Sequence, residues 1–225
     1  MKSLFLFVLI VKVFIILITR THKFILMKKM YLWVAIAFLA STTMIAQQNF
    51  DAIVKNHFSD DLNKSSNGND KKEWVITDVV PSLNPNVKHV YVQQFYQGIP
   101  IQYATYKLTI KDGKKVTWTI DQFVKNIEEK ITNAKSSLSP ESAIAAVAGK
   151  HGIAVSSGLQ KSSKSVNNVE ILEYKTSGLT LEPIQVSKVF LQHEGELKLT
   201  WKVSLYPKDG QHWWNANVDA ATGKI

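Results

Sequence analysis

The sequence predicts an α+β protein made of two small units, each an antiparallel β-sheet with one helix packed on it. Three observations carry this expectation. Helical spacing gives way to strand alternation twice, over 50–124 and again over 139–218. Asp112-Gly113 and Asp209-Gly210 supply turn signals. A short polar linker, Asn133 to Ser137, separates the halves. The expected boundaries are a targeting region at 1–46, a first unit at 47–133 and a second at 134–225.

Residues 1–46 hold two apolar runs, Leu4 to Thr19 and Tyr31 to Ala40. The second has the parts of a secretory signal peptide: basic Met27-Lys28-Lys29, an apolar stretch from Leu32 to Leu39, and small residues up to Ala46. Cleavage is expected between Ala46 and Gln47, giving a signal peptide at 27–46. Met27 then serves as the start, and 1–26 reads as an upstream misread. The competing reading is a membrane anchor with two apolar segments. Either way the chain is expected to be exported, to a secreted or extracellular fate, with the periplasm as the other possible compartment and membrane contact only during export.

In the exported part, Phe50, Ile53, Val54 and Phe58 have helical spacing. Asp60 to Lys72 reads as a polar loop. Val87 to Phe95, Ile99 to Ile110 and Val116 to Val124 read as three strands of a meander. Asp112-Gly113 stands between Leu108/Ile110 and Val116/Trp118 as the strongest hairpin signal. Ser139 is the expected N-cap of a helix with Pro140 at its first position, and it runs to Lys150 with Gly152 just beyond. Ser156 to Asn168 reads as a polar loop. Strand-like runs follow at 169–174, 186–192, 197–205 and 213–218, and Thr222-Gly223-Lys224 marks a last turn.

Composition narrows the function classes. Apolar residues make up 45% of the chain, with six Trp and ten Phe, which excludes a wholly disordered protein. The formal charge is +9, but residues 1–46 carry Lys2, Lys12, Arg20, Lys23, Lys28 and Lys29 and no acid. The remaining 179 residues carry a net charge of only +3 and no arginine, so the guanidinium forks that grip phosphate and guanine are missing and no nucleic-acid partner is expected. There is no cysteine, hence no disulfide, zinc thiolate or thiol nucleophile.

No catalytic residue and no metal ligand is expected. His193-Glu194-Gly195-Glu196-Leu197 comes nearest to H-E-x-x-H, which needs two histidines on one helix face, but Leu197 stands at the second histidine position. Two strands around a hairpin tip fit better. His57, His89, His151, His193 and His212 fall on different elements, and Glu128-Glu129 beside Lys125 and Lys130 reads as a solvated charge cluster. Phosphate-binding glycine loops and a G-x-S-x-G elbow are absent from the sequence.

Particular strings go further. Val90 to Tyr103 resembles the strand–turn–strand signature of the fungalysin/thermolysin propeptide (FTP) domain, through Gln93, Gln94, Tyr96, Gly98, Ile99, Pro100, Ile101 and Tyr103. In the second half, Leu138 to Ala143, Leu199 to Val203 and Trp213 to Lys224 resemble a PepSY-type segment, with Trp213, Trp214, Asp219 and Gly223 as its markers. The order of the two is similar to the pro-region of secreted fungalysin-type zinc metallopeptidases.

That resemblance implies a non-catalytic pro-region that helps the catalytic domain fold and holds it inactive, in cis or in trans. The family's zinc is expected only in the catalytic domain, whose H-E-x-x-H has no counterpart here, so no cofactor is expected in this chain. The sequence stops at Ile225, where the linker to that domain would begin. A truncated or split reading frame and a stand-alone pro-region are the two expectations, and the alternative function is a stand-alone exported protease inhibitor or binding module. The turn from Phe95 to Tyr103 and the Trp213-Trp214 pair are the contact candidates, because exposed aromatics are enriched at interface cores. Aromatics alternating along strands also serve as core or cross-strand pairs.

Overall fold

A computed structural model describes residues 50–60, 68–155, 159–176 and 178–225. The signal peptide, the Ala46/Gln47 cleavage site and segment 1–26 lie outside the described residues. The chain divides into compact units at 1–52 and 53–225. All the strands lie in the second, while the first is described only at 50–52.

The first helix, α1, covers 50–60. Its Val54 and Phe58 are buried, and four strands follow: β1 (Trp74–Pro81), β2 (Val87–Tyr96), β3 (Ile99–Lys111) and β4 (Lys115–Asp121). Phe58 meets Trp74, Tyr106 and Phe123 edge-on or tilted, at centroid distances of 5.6, 4.9 and 5.7 Å. Burying a side chain of this size stabilises by about 1.5–3 kcal/mol, so these rings anchor α1 to the sheet. Asp112 and Gly113 both take positive φ (53° and 63°) in the three-residue link between Lys111 and Lys115, the conformation for which Asp-Gly is suited.

The second half begins with the one-turn helix α2 (Ile127–Lys130) and β5 (Ile131–Asn133). Helix α3 (Pro140–Lys150) starts as the sequence predicts: the Ser142 N–H donates to Ser139 Oγ at 3.1 Å, and Pro140 opens the first turn. Strands β6 (Gln160–Val166), β7 (Val169–Lys175), β8 (Ile184–His193), β9 (Glu196–Leu205) and β10 (Trp214–Asp219) complete the fold. Ala143, Ile144, Val147 and Ala148 of α3 are buried in one core with Val186, Leu199, Val203 and Val218.

The expectation of two separate units is corrected. All ten strands form one mixed sheet, in the order β1-β2-β3-β8-β7-β6, with β4 beside β3, and β9 joined to β8, β10 and β5. The join is the parallel pair Ile101↔Phe190. Ile101, Ala104 and Val124 from the first half share the core of α3 and β8–β10, together with Ile127 of α2. The physical cause is β3 itself. Its C-terminal part pairs with β2 and β4 and its first residues, Ile99 and Pro100, with β2, while in the irregular stretch opposite Gln94 Ile101 turns to Phe190 of β8. Periodicity reports which residues alternate along a strand, not which strand lies alongside.

Two further expectations change. The meander has four strands rather than three, because β1 contains a bulge between Ile76 and Asp78 that breaks its alternation. Most of the expected loop at 156–168 is β6, all of whose residues are exposed. It pairs with β7 along its whole length through a turn at Asn167-Asn168, both with positive φ (49° and 63°). An edge strand of Gln, Lys and Ser has no apolar rhythm to betray it, and its lysines suit an open edge. Within the loop expected at 60–72, Gly68–Lys71 form a short 3-10 turn.

Candidate functional site

The corner between β2 and β3 is built by side chains that substitute for missing strand pairing. Between Gln93↔Thr105 and Phe95↔Pro100, four residues of β3 stand opposite one of β2. The carbonyls turned out of the ladder need donors. Gln93 Nε2 supplies them, donating to Ile101 O at 2.6 Å and Ala104 O at 2.9 Å. Gln94 is fully buried; its Nε2 donates to Asp70 O (2.7 Å) and Val124 O (2.9 Å), and its Oε1 accepts from the Val124 N–H (2.8 Å). Asp70, also buried, accepts from the N–H groups of Asn126 (2.8 Å) and Ile127 (3.1 Å) at the start of α2. Glu73 accepts from the Gln97 and Gly98 N–H groups at 3.1 and 2.8 Å, pinning the turn whose residues take φ of 50° and 73°.

Out of this corner stands Tyr103. It is non-glycine yet has φ of 66° and is 77% exposed. That backbone conformation costs an L-residue about 1–2 kcal/mol, so the surrounding hydrogen bonds must hold it. Tyr96, by contrast, is half-buried and meets Phe190 edge-on at 5.9 Å, and Ile99 and Pro100 line the passage from the turn into β3.

The closing turn of the second half works through one carboxylate. Asp219 Oδ1 accepts from the N–H groups of Ala221 (2.9 Å) and Thr222 (2.8 Å). Burial pushes its pKa up, but the N–H bonds of Thr222 and Ala221 outweigh that and hold the carboxyl below its usual range. Gly223, at φ of 76°, lets its N–H return to Asp219 O, and a Cβ there would meet Leu138 at 4.0 Å. The turn also fastens the inter-half segment: Ser137 and Leu138 N–H donate to Ala220 O at 3.0 and 2.9 Å, and Trp201 Nε1 donates to Leu138 O at 2.9 Å. Trp214 is half-buried, stacked on His151 at 3.8 Å and on His212 at 5.2 Å. Trp213 is 64% exposed, stacks on Tyr206 at 5.3 Å and donates to Ser204 Oγ at 2.7 Å.

Helices α1 and α3 pack on the same side of the sheet. Val92 and Tyr106 face α1, and Val186 and Val203 face α3, so strand alternation turns Gln93, Thr105, Ser187 and Lys202 the other way. Those four line one groove, where the uncovered surfaces of the two halves meet. Strand β4 makes this surface unusual. Thr119 pairs with buried Leu108, while Trp118 and Ile120 pair with Thr109 and Lys107 on the open side. Trp118 is 54% exposed, and Lys107 Nζ lies between Tyr91 and Trp118 at 5.3 and 5.9 Å from their ring centres. An apolar stripe facing away from the core is the kind of patch that marks an interaction surface.

Of the contact candidates, the structure brings Phe95, Pro100 and Tyr103 to this groove. Gln94 is in the interior, and the Trp213–Trp214 pair belongs to β10 and its approach. Trp118, Ile120, Tyr91 and Lys202 were not singled out by sequence. The alternation of Val116, Trp118 and Ile120 is visible there, but only the structure shows that a register shift leaves Val116 beside buried Ile110 and turns Trp118 and Ile120 outward.

His193 to Leu197 is a hairpin tip: Glu194 and Gly195 take φ of 51° and 85° between β8 and β9, and Leu197 is buried. His193 and Glu194 are 65% and 82% exposed, so this string does not fit a zinc site. Among the described residues no three His, Asp or Glu side chains converge as a metal centre would need, and no helix is long and apolar enough to cross a membrane.

Comparison with known proteins places the first half. A family profile described as "Fungalysin/Thermolysin Propeptide Motif" matches residues 72–119, which are β1 to β4 without the last residues of β4. The chain is also similar to extracellular metalloproteinase 9 of Coccidioides posadasii (strain C735), 27% identical over 144 residues. The match covers 61% of this chain and 22% of that relative. The four-stranded half thus carries a metallopeptidase propeptide motif.

Proposed function

We propose that the chain is the non-catalytic pro-region of a secreted fungalysin-type zinc metallopeptidase, serving as intramolecular chaperone and inhibitor of its catalytic domain. The second half is read as PepSY-like, and export is read as following cleavage between Ala46 and Gln47. One observation carries this reading: the propeptide motif at 72–119 coincides with a half whose uncovered face presents Trp118, Ile120 and Tyr103. The similarity to a protein named as extracellular supports secretion. A folding template works by binding the native state of its client better than the unfolded one, which stabilises it by mass action. An uncovered sheet face with outward aromatics supplies the apolar area for that.

Two measurements test the reading. Sequencing the gene beyond codon 225 should find an in-frame H-E-x-x-H domain. That catalytic domain, refolded from denaturant with the full chain in trans, should recover more activity after the chain is digested away than without it, and should be inhibited while the chain remains. Equal recovery without the chain would remove the chaperone role, and full activity in its presence would remove the inhibitory one. A stop codon with a stable secreted product beginning at Gln47 would favour the stand-alone binding module instead.

A further inference from the structure

The seam between the halves leaves part of β8 without a neighbour. On one side β8 is paired with β9 from Gln185 to His193. On the other, β7 accompanies only Ile184 to Val186 and β3 meets only Phe190, so Ser187 to Val189 face a gap. Over this gap lies the groove, a cavity of about 390 Å³, within the size range of small-ligand pockets. Its walls are Phe95 and strained Tyr103 from the β2–β3 corner, Val166 and Ile171 from the β6–β7 hairpin, and Val189 and Lys202 from the floor.

The charge pattern of this groove is one-sided. Lys202 is its single charged residue, and no Asp or Glu lines it. Lys202 is half-buried. Among the described residues no ion pair, hydrogen bond or ring contact engages its ammonium. Three neighbouring polar side chains are matched among themselves and to the backbone: Asn217 Nδ2 donates to Gln102 Oε1 (2.7 Å) and Thr200 Oγ1 (3.0 Å), and Thr200 Oγ1 donates to Val189 O (3.1 Å). They leave Lys202 as the one cation offered to an incoming group. A half-buried ammonium among apolar walls is poorly screened, so a carboxylate gains more there than at an open surface.

We infer that this groove is the docking seat for an extended peptide segment of a protein partner, one that places a large apolar side chain between Tyr103 and Val166 and a neighbouring carboxylate on Lys202. Both ends of the gap are closed by β7 and β3, so the occupant enters by its side chains and does not add as a strand. The outward Trp118–Ile120 stripe lies farther along the same face, outside the groove itself. This inference deepens the pro-region reading when the partner is the catalytic domain, but the binding chemistry stands without it.

The test uses the full chain, isotope-labelled for amide NMR, and three acetylated, amidated peptides: glycine-phenylalanine-glycine-aspartate-glycine, which puts both side chains on one face of an extended chain, and its counterparts with asparagine or lysine at the fourth position. The aspartate peptide should shift the amide signals of Tyr103, the Val166–Val169 turn and Ser187–Val189. It should bind at least fivefold more tightly than the asparagine peptide, and the lysine peptide should bind most weakly. Lys202→Glu, with its other amide signals unmoved as evidence of folding, should reverse the order so that the lysine peptide binds best. No shift at millimolar peptide, shifts confined to other surfaces, or an order insensitive to Lys202→Glu would overturn the inference. The two readings fail separately. Undiminished inhibition of a catalytic domain by the Lys202→Glu chain would sink the docking to that domain and leave the pro-region role. Charge-ordered peptide binding by a chain that neither inhibits nor assists the peptidase would do the reverse.

Discussion

The corner at 93–103 and the turn at 213–223 solve the same problem by different means. Each must satisfy backbone groups that leave the sheet ladder. In the first, neutral amides do it from the interior: Gln94 is fully buried and both its donor and acceptor atoms are engaged. In the second, an ionised carboxylate does it near the surface, with Asp219 bonded to two N–H groups and held below its usual pKa. An amide has no titration to lose, and its removal strands several buried groups together. A carboxylate gives stronger bonds but gives them up in acid. The two corners should therefore differ both in mutational cost and in pH response. Their exposed aromatics differ too: Tyr103 lines a groove, whereas Trp213 lies flat on Tyr206.

The largest effect should come from Gln94→Leu. It leaves Val124 N–H and the carbonyls of Asp70 and Val124 without partners in the interior, at about 1–3 kcal/mol each, so a loss on the order of 4 kcal/mol is expected by urea unfolding. A loss under about 1 kcal/mol would mean that water or a shift of the 122–126 segment takes over those bonds, and the contrast between buried and surface corners would fail.

Asp219→Asn should cost less, about 1 kcal/mol at neutral pH, because the acceptor oxygen stays and only its charge is lost. The sign with pH follows from the lowered pKa. Asp219 contributes stability in full above its ordinary value of 3.8, and that contribution falls away as pH drops through the lower folded value. Wild type and Asp219→Asn should thus differ most in melting temperature above the ordinary value of 3.8 and converge as pH falls through the lower folded value. Parallel curves across that range would assign the acid response elsewhere, to Asp121, Glu141 or Asp209, the other carboxylates held low.

Tyr103→Gly should change stability least, within about 0.5 kcal/mol, since relief of a left-handed residue offsets the extra backbone entropy of glycine. Peptide affinity at the groove should nevertheless fall severalfold. A clear loss of stability would show that the tyrosine ring holds the corner together and does not merely stand on it.

Much of the fold is legible locally. The N-cap at Ser139 and the turns at Asp112-Gly113, Glu194-Gly195 and Gly223 follow from single residues with a conformational or hydrogen-bonding reason to be there. Strand β6 is illegible for an equally physical reason: with every residue exposed it carries no apolar period, and only the Asn167-Asn168 turn hints at a hairpin. The markers Gln93, Gln94, Gly98, Asp219 and Gly223 are readable as strings, but their work is internal, as struts and turns. The groove was legible in part, through Phe95, Pro100 and Tyr103; Lys202 and Trp118 were not.

By itself, then, the sequence determines the local conformations, the absence of thiol chemistry and of an H-E-x-x-H string, and the resemblance to a propeptide. Those rest on interactions between residues a few positions apart, where identity and spacing suffice. Only the tertiary structure decides that two α+β halves share one sheet, that helices α1 and α3 cover the same side, and that an apolar strand phase at Trp118 and Ile120 faces outward. The shared sheet depends on the pairing of Ile101 with Phe190, 89 positions later, beside the bend at Tyr103, and the outward stripe on the pairing of β4 with β3. Periodicity along a strand reports which residues share a face, never which face another part of the chain will cover.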